Sequence, residues 1–229
     1  MAEKKQKRET FVTPKGEAQW PHLRKPDDRP IKGKPQEPAF KVNMRFAKDD
    51  PAWLKLKKLL DDKVEEAYQT AIEENPKKKK IITRAYPYSE VLDEEGEETG
   101  VIEVKFKQRA VIKRKGKDDI NVRIALFDAK GKPLPDGVNP WSGSIVKVSF
   151  SPRPYLMDST NAAGISLSFD AVQVIKLEQG GGANRSANSY GFGEEEGYEA
   201  DDETAESKSH GFDDEGGEGT EDGDENDEF

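Results

Sequence analysis

Apolar and polar residues alternate along several short stretches of the chain, and each such stretch predicts a half-buried β-strand. In the first stretch, FKVNMRF at residues 40–46, the four apolar side chains point to one face and the three polar ones to the other. The same alternation recurs at residues 102–112, 120–126, 146–150 and 165–177. The pattern therefore predicts about five antiparallel strands with one apolar face each.

A helical period follows the first predicted strand. Apolar residues recur at three- and four-residue steps through DDPAWLKLKKLLDDKVEEAYQTAIEENP. Asp50 is suited to cap this helix, with Pro51 at its first position, and Asn75-Pro76 ends it. We therefore predict one long helix of about six turns. Trp53 lies on its apolar stripe and is expected in the core.

The predicted fold is mainly β. Five amphipathic strands with long loops and one helix suit a five-stranded Greek-key barrel of the OB type, with a helix-decorated β-sandwich as the alternative. Residues 1–37 contain five prolines, too many for a helix or a central strand. We therefore predict a basic, proline-rich arm (1–37), an OB-fold domain (38–179), and a glycine hinge with a disordered acidic tail (180–229).

Charge is divided unequally along the chain, whose net charge is −9. Residues 183–229 hold 18 acidic and two basic residues, a net charge of −16. The preceding residues hold 35 Lys/Arg and 28 Asp/Glu, a net charge of +7. A basic body with an acidic tail predicts a polyanion partner for the body and a separate role for the tail.

No constellation of residues indicates catalysis. The chain has no cysteine, no glycine-rich phosphate loop, and only two histidines, one in the arm and one in the tail. We therefore expect a protein that is not an enzyme and has no catalytic residue, metal site or cofactor. We also expect neither a signal peptide nor a membrane span, and hence an intracellular protein.

Cations on the outward positions of the predicted strands are the strongest functional signal. Phosphates require cations, and unpaired bases stack on aromatic rings for about 1–3 kcal/mol each. Aromatic residues lie near these cations at positions 20, 86, 88, 127 and 155. The predicted helix has mixed charge, unlike a duplex-reading helix, so single-stranded nucleic acid is favoured, DNA or RNA. The cations are Lys41, Arg45, Lys105, Lys107, Arg109, Arg123 and Lys147.

The acidic tail ends in EDGDENDEF. A tethered polyanion can occupy the basic groove at high effective concentration until nucleic acid displaces it. A terminal ring and carboxylate then add a specific anchor to electrostatic attraction for a protein partner. The predicted partner-binding residues are Asp224, Glu225, Asp227, Glu228 and Phe229. The alternative is a chaperone-like protein whose tail binds basic proteins and whose body has no nucleic-acid role.

The order of motifs resembles the single-stranded DNA-binding proteins of podovirus-type bacteriophages, which have an OB fold and an acidic tail ending in phenylalanine. The similar stretches are Trp20 with KPD at 25–27, FKV at 40–42 followed by KDDP and EEAY at 65–68, VKFK at 104–107, INV through DAKGK at 120–132, KVSFSPRPY at 147–155, and GGG at 180–182.

The resemblance implies sequence-independent binding of single-stranded DNA, strand annealing, and a role in phage DNA replication, recombination and repair. It implies a tail that contacts the phage DNA polymerase and helicase–primase, a homodimer, and a location in the cytoplasm of the infected bacterium. Tyr155 corresponds to the stacking tyrosine of the family. The family can carry an arginine where this chain has Glu37, so Lys32 and Lys34 are expected to bind instead. Trp20 and Arg153 complete the expected binding set.

Overall fold

The computed structural model describes residues 9–30, 33–114 and 116–178. Lys32 and the predicted hinge and tail, 180–229, lie outside these ranges. One α-helix, α1, spans Pro51–Glu74, and a 3₁₀ turn, Pro76–Lys78, follows it. The strands of the described ranges are β1 (Phe11–Val12), β2 (Gly16–Asp27), β3 (Ala39–Ala47), β4 (Thr83–Ala85), β5 (Tyr88–Leu92), β6 (Glu98–Arg109), β7 (Val111–Arg114), β8 (Lys117–Asn121), β9 (Ala125–Phe127), β10 (Ile145–Met157) and β11 (Ala162–Lys176).

Five long strands pair in a ring, in the order β10, β2, β3, β6, β11 and back to β10. Neighbours are antiparallel, except that β6 and β11 run parallel and meet where Phe106 lies opposite Leu167. The β2–β10 contact is also short, because only Gly16 and Glu17 pair with β10. The ring is a partly open Greek-key barrel, and the predicted five-stranded OB fold is confirmed.

The barrel core is made by the alternation visible in the sequence. The four apolar side chains of FKVNMRF in β3 are buried, as are Val104 and Phe106 of β6 and Val148 of β10. Helix α1 buries its apolar stripe, including Trp53, against this core. The Asp50 side chain accepts a hydrogen bond from the Ala52 N–H at 2.8 Å, so the predicted N-cap is confirmed.

The predicted arm at residues 1–37 is wrong for Gly16–Asp27, because this segment is barrel strand β2. The domain therefore begins before residue 38, and α1 follows the second barrel strand. Prolines are tolerated here because the β2–β3 register shifts twice, between Gln19 and His22 and between His22 and Asp27. Pro21 and Pro26 fall within these two irregular intervals, where no ladder N–H is required.

The predicted strand at residues 120–126 is interrupted. Ile120, expected in the core, is 42% exposed and belongs to β8, which pairs with β7 as a separate two-stranded hairpin. The chain returns to the core at Ile124 and Leu126. Alternation detects which face of a strand is apolar, but it does not show which neighbour covers that face. No helix in the described part of the chain is long and apolar enough to cross a membrane.

Candidate nucleic-acid interface

The outer side of β2, β3 and β6 carries most of the predicted cations in cross-strand rows. Lys41 of β3 lies between His22 of β2 and Lys107 of β6. In the next row along β3, Asn43 lies between Gln19 and Lys105. OB barrels bind oligonucleotides on the second and third strands, here β3 and β6, and on the adjoining loops. We name this surface the basic face; its cations are Lys41, Arg45, Lys105, Lys107 and Arg109.

Three cations of the basic face are paired with acids. Lys41 Nζ donates to Asp27 Oδ2 at 3.0 Å. Arg45 Nε lies 3.3 Å from Glu103 Oε2. Alternation predicts which cations point outward, but it does not show that neighbouring strands place acids beside them.

The third pair joins Arg109 Nε to Glu37 Oε2 at 3.3 Å. Lys105 and Lys107 are different, since both are exposed and no acid of the described residues lies within 4.0 Å of either ammonium. These two lysines are therefore the cations of the basic face that are ready to contact phosphate without breaking an existing ion pair.

Asp27 sets the charge balance at one end of this surface. The hydrogen bond from the Arg29 guanidinium is the largest effect on this carboxyl group, and the bond from Lys41 adds to it. Together they hold the pKa of Asp27 well below its usual range, although partial burial opposes the shift. Asp27 therefore stays ionised near neutral pH and offsets the charge of Lys41.

Three predicted residues lie near the loops that flank the basic face. Lys34 is exposed in the connection between β2 and β3. Tyr155 lies opposite Gly164 near the end of the β10–β11 hairpin, and its ring is partly exposed. Arg153 lies opposite Ser166 in the same hairpin. In OB barrels the β2–β3 and β10–β11 connections are the loops that continue the oligonucleotide site.

Two other predicted cations do not join the basic face. Arg123 is exposed in the connection between β8 and β9 instead of within a strand. Lys147 of β10 lies opposite Gln173 of β11 and lines a shallow groove of about 350 Å³ with Val12 and Phe127. The sequence pattern shows neither the loop after β8 nor the β9–β11 pairing. For this reason it grouped Arg123 and Lys147 with the cations of the basic face.

The tetralysine run, residues 77–80, overlaps the 3₁₀ turn after α1. Lys78 Nζ donates to Asp158 Oδ1 at 3.0 Å, which ties this turn to the connection between β10 and β11. One lysine of the run is therefore engaged by a loop acid, and the run is not part of the basic face.

The aromatic residues noted in the sequence differ in their accessibility. Tyr88 is not free to stack on a base: its hydroxyl donates to Asp61 at 2.6 Å and its ring meets Trp53 edge-on at 5.2 Å. Burial is the main reason that the pKa of Tyr88 rises to about 12. Tyr86 and Trp20, by contrast, present exposed rings.

Two polar or aromatic residues of this region were missed in the sequence analysis. Asn43 lies in the middle of the basic face, where its amide donates to Glu103 at 2.9 Å. Trp141 is exposed in the loop before β10, outside any periodic pattern that would have drawn attention to it. Within the ranges that the structure describes, no group of three or more His, Asp or Glu side chains could hold a metal ion.

Known proteins with similar sequences are single-stranded DNA-binding proteins of bacteriophages. The protein of that name from Escherichia phage T7 is 28% identical over 170 residues, which cover 70% of this chain and 71% of the relative. The protein of the same name from Enterobacteria phage T3 is 29% identical over 154 residues, covering 62% and 64% of the two chains.

The structural comparison agrees with the sequence relatives. The crystal structure of gp2.5, a single-stranded DNA-binding protein encoded by bacteriophage T7, matches with a TM-score of 0.62 and 25% identity. The match covers 85% of this chain and all of that one.

Residues 15–177 match the family described as "Single-stranded DNA-binding protein, Bacteriophage T7". This match spans well over half of the chain and includes every strand of the barrel. Its members are binding proteins, which confirms the prediction that the chain is not an enzyme. The resemblance in the order of motifs is likewise confirmed, and the chain belongs to the bacteriophage T7 family of single-stranded DNA-binding proteins.

Proposed function

We propose that this protein binds single-stranded DNA, without sequence preference, on the basic face. The observation that carries the proposal is the position of Lys105 and Lys107, exposed and without acidic partners in the described ranges, on the barrel strands that bind oligonucleotides in OB folds. Phosphate contacts at these lysines release counterions, which supplies affinity that does not depend on base identity. Family membership supports the same conclusion.

Stacking supplies the second part of the affinity. Trp20 beside the basic face and Tyr155 on the β10–β11 hairpin offer exposed rings on which bases can stack. Lys34 and Arg153 add cations near the two loops, and Lys41, Arg45 and Arg109 exchange their acidic partners for phosphates when DNA is bound. Lys32, which lies outside the described residues, and Arg123 and Lys147, on other parts of the surface, stay predicted DNA contacts.

The wider role that we propose is in phage DNA replication in the cytoplasm of the infected bacterium. The protein coats and protects single-stranded DNA, promotes annealing, and works as a homodimer. Its acidic C-terminal segment, with Asp224, Glu225, Asp227, Glu228 and Phe229, recruits the phage DNA polymerase and helicase–primase. The charge of −16 in residues 183–229 supports competition between this segment and DNA for the basic face.

A titration of labelled oligo-dT followed by fluorescence anisotropy tests DNA binding. Affinity should fall steeply between about 50 and about 200 mM salt and should exceed the affinity for a duplex of equal length. An affinity that does not change with salt would contradict the proposal. A parallel titration with oligo-U distinguishes DNA from RNA as the preferred ligand.

Deletion of residues 212–229 tests the role of the tail. The truncated chain should bind oligo-dT more tightly and should no longer bind the polymerase. A full-length variant with Asn and Gln in place of the acids of this segment separates charge from chain length. Phe229→Ala should weaken polymerase binding while DNA binding is retained. Unchanged polymerase binding by all three variants would contradict recruitment through the tail.

A further inference from the structure

Two of the three tryptophans of the chain are displayed on the surface. Trp20 is 69% exposed and Trp141 is 48% exposed, whereas Trp53 is only 1% exposed in the core. A single exposed apolar residue is ordinary, but two large rings on neighbouring segments, each held by a fixed backbone, need an explanation.

The backbone at Trp20 is strained. Its φ is +50°, in the left-handed region that bulky residues rarely adopt. Trp20 lies within the register shift of β2 between Gln19 and His22, an irregularity that changes the direction of a side chain relative to the ladder. Such strain persists only where the surroundings enforce it, and it is concentrated at functional sites.

The surroundings that enforce it are the residues just after Trp141. The Trp20 N–H donates to Ser142 Oγ at 2.9 Å. The Gly143 N–H donates to the Ala18 carbonyl at 2.9 Å, and the Ala18 N–H donates to the Ser144 carbonyl at 2.8 Å. Three hydrogen bonds thus join the segment of Trp20 to the segment of Trp141.

Trp141 is anchored from a second direction, because its N–H donates to the Glu178 carbonyl at 3.0 Å. The loop before Trp141 is anchored by Arg24 of β2. The Arg24 guanidinium donates to the carbonyls of Leu134, Pro135 and Val138 at 3.0, 2.6 and 3.2 Å. Both tryptophans therefore project from a backbone that is already ordered, which reduces the entropy lost when a ligand binds.

A cleft and the basic face lie beside the segments that carry these tryptophans. The cleft, of about 320 Å³, lies between β2 and the loop before Trp141 and is lined by Pro21, His22, Lys25 and Asn139 among others. Trp20 lies in β2 between Gln19 and His22, the residues opposite Asn43 and Lys41 of the basic face. A strand of DNA that leaves the basic face across β2 therefore passes the segment that carries Trp20.

We propose that Trp20 and Trp141 form a second stacking site, in which unpaired bases of single-stranded DNA stack beyond the β2 side of the basic face, and that Trp141 is a DNA-binding residue. The proposal rests on the proposed function of the basic face. Proteins that bind single strands combine phosphate-binding cations with aromatic rings, and such rings stack on any base. Both elements are present here, on an ordered backbone.

Tryptophan emission tests this site, because stacked bases quench the emission of exposed tryptophans and Trp53 is buried. Oligo-dT is titrated into Trp20→Phe, Trp141→Phe and the double variant, and binding is followed in parallel by the anisotropy of the labelled oligonucleotide. We expect Trp20→Phe to retain quenching that arises from Trp141, and the double variant to lose nearly all quenching. Trp141→Leu should weaken binding at least about fivefold, the lower limit for one stacked base.

The matched control is Leu54→Ala, which removes another exposed apolar side chain, on α1, and should leave affinity unchanged. Binding by Trp20→Phe without any quenching, or unchanged affinity of Trp141→Leu, would overturn the stacking site and leave the proposed function intact. Absence of binding by the unaltered protein in the anisotropy measurement would overturn both.

Discussion

Lys41 of β3 lies directly opposite Lys107 of β6, and of the two only Lys41 has an acidic partner among the described residues, Asp27 at 3.0 Å. Like charges that face each other across a sheet are destabilising. Asp27 neutralises one of the two and leaves the charge of Lys107 uncompensated by the described residues. Asp27 therefore relieves the repulsion within the pair, and Lys107 remains a cation that DNA can contact without breaking an ion pair to a described residue.

Neutralising Lys107 should weaken the binding of single-stranded DNA. Because each phosphate contact adds about 0.7 to the slope of log affinity against log salt, Lys107→Gln should reduce that slope by about this amount. The double variant with Lys105→Gln should reduce it by about twice as much. Anisotropy titrations with oligo-dT at several salt concentrations measure the slope.

Lys55→Gln is the matched control for these variants. Lys55 is an exposed lysine of α1 without an ion pair in the described structure, and it lies off the basic face. If its substitution reduced affinity and slope as much as that of Lys107, general charge instead of a local contact would account for binding.

Removing an acid from the basic face should have the opposite effect. Glu103→Gln frees Arg45 from its ion pair and removes a negative charge near the phosphates, while an amide can still bond Asn43. We expect tighter binding of oligo-dT at low salt, with the gain shrinking as salt screens the charges. Weaker binding at low salt would show that Glu103 orients Arg45 for DNA.

Local pattern was sufficient to predict β3 and α1, because their periodicity, cap and terminating proline agree with the tertiary environment. It failed for β2, where Pro21 and Pro26 resemble breakers but fall in irregular intervals of the ladder. The positions of Lys105 and Lys107 were likewise predictable from alternation. Alternation could not predict that Arg45, unlike these lysines, is paired with an acid, because Glu103 comes from a strand far away in sequence.

Asp27 should make the fold sensitive to acid. Its pKa is lowered in the folded protein, so the stability it contributes is fully present above the ordinary carboxyl range, near pH 4, and is lost as the pH falls towards the folded pKa. Asp27→Asn should therefore lower the free energy of unfolding near neutral pH and flatten its decline below about pH 4.

Urea unfolding of both proteins between about pH 2 and about pH 7 measures this difference. Asp49→Asn serves as the control, because Asp49 is an exposed acid of the turn before α1 that makes no salt bridge with the described residues. If the free energy of unfolding of Asp27→Asn fell with pH as steeply as that of the unaltered protein, Asp27 would not be the cause of the acid sensitivity.

Tyr88 should affect stability on the alkaline side. Its pKa is raised to about 12, mainly by burial, so its contribution is full below about pH 10 and is lost as the pH rises towards about 12. Tyr88→Phe should remove this loss of stability at alkaline pH. It also removes the hydrogen bond to Asp61, and the lost bond should lower the free energy of unfolding by about 1 kcal/mol near neutral pH.

Denaturant unfolding near pH 7 and near pH 10.5 measures both effects of Tyr88→Phe, since the two values lie on either side of about pH 10. Tyr86→Phe is the matched control, because Tyr86 is the exposed neighbour whose ring lies 5.5 Å from that of Tyr88. A stability loss from Tyr86→Phe equal to that from Tyr88→Phe would contradict the role of the buried hydroxyl.

Two contacts of the barrel are short: β6 and β11 share one residue pair, and β2 and β10 share two. They separate a three-stranded half, β2–β3–β6, from the β10–β11 half. The basic face belongs wholly to the first half, where β3 and β6 pair over nine consecutive positions. Tension on a DNA strand bound at Lys105 and Lys107 is therefore carried by this uninterrupted ladder. A DNA strand that also contacts Tyr155 links the two halves across their short contacts.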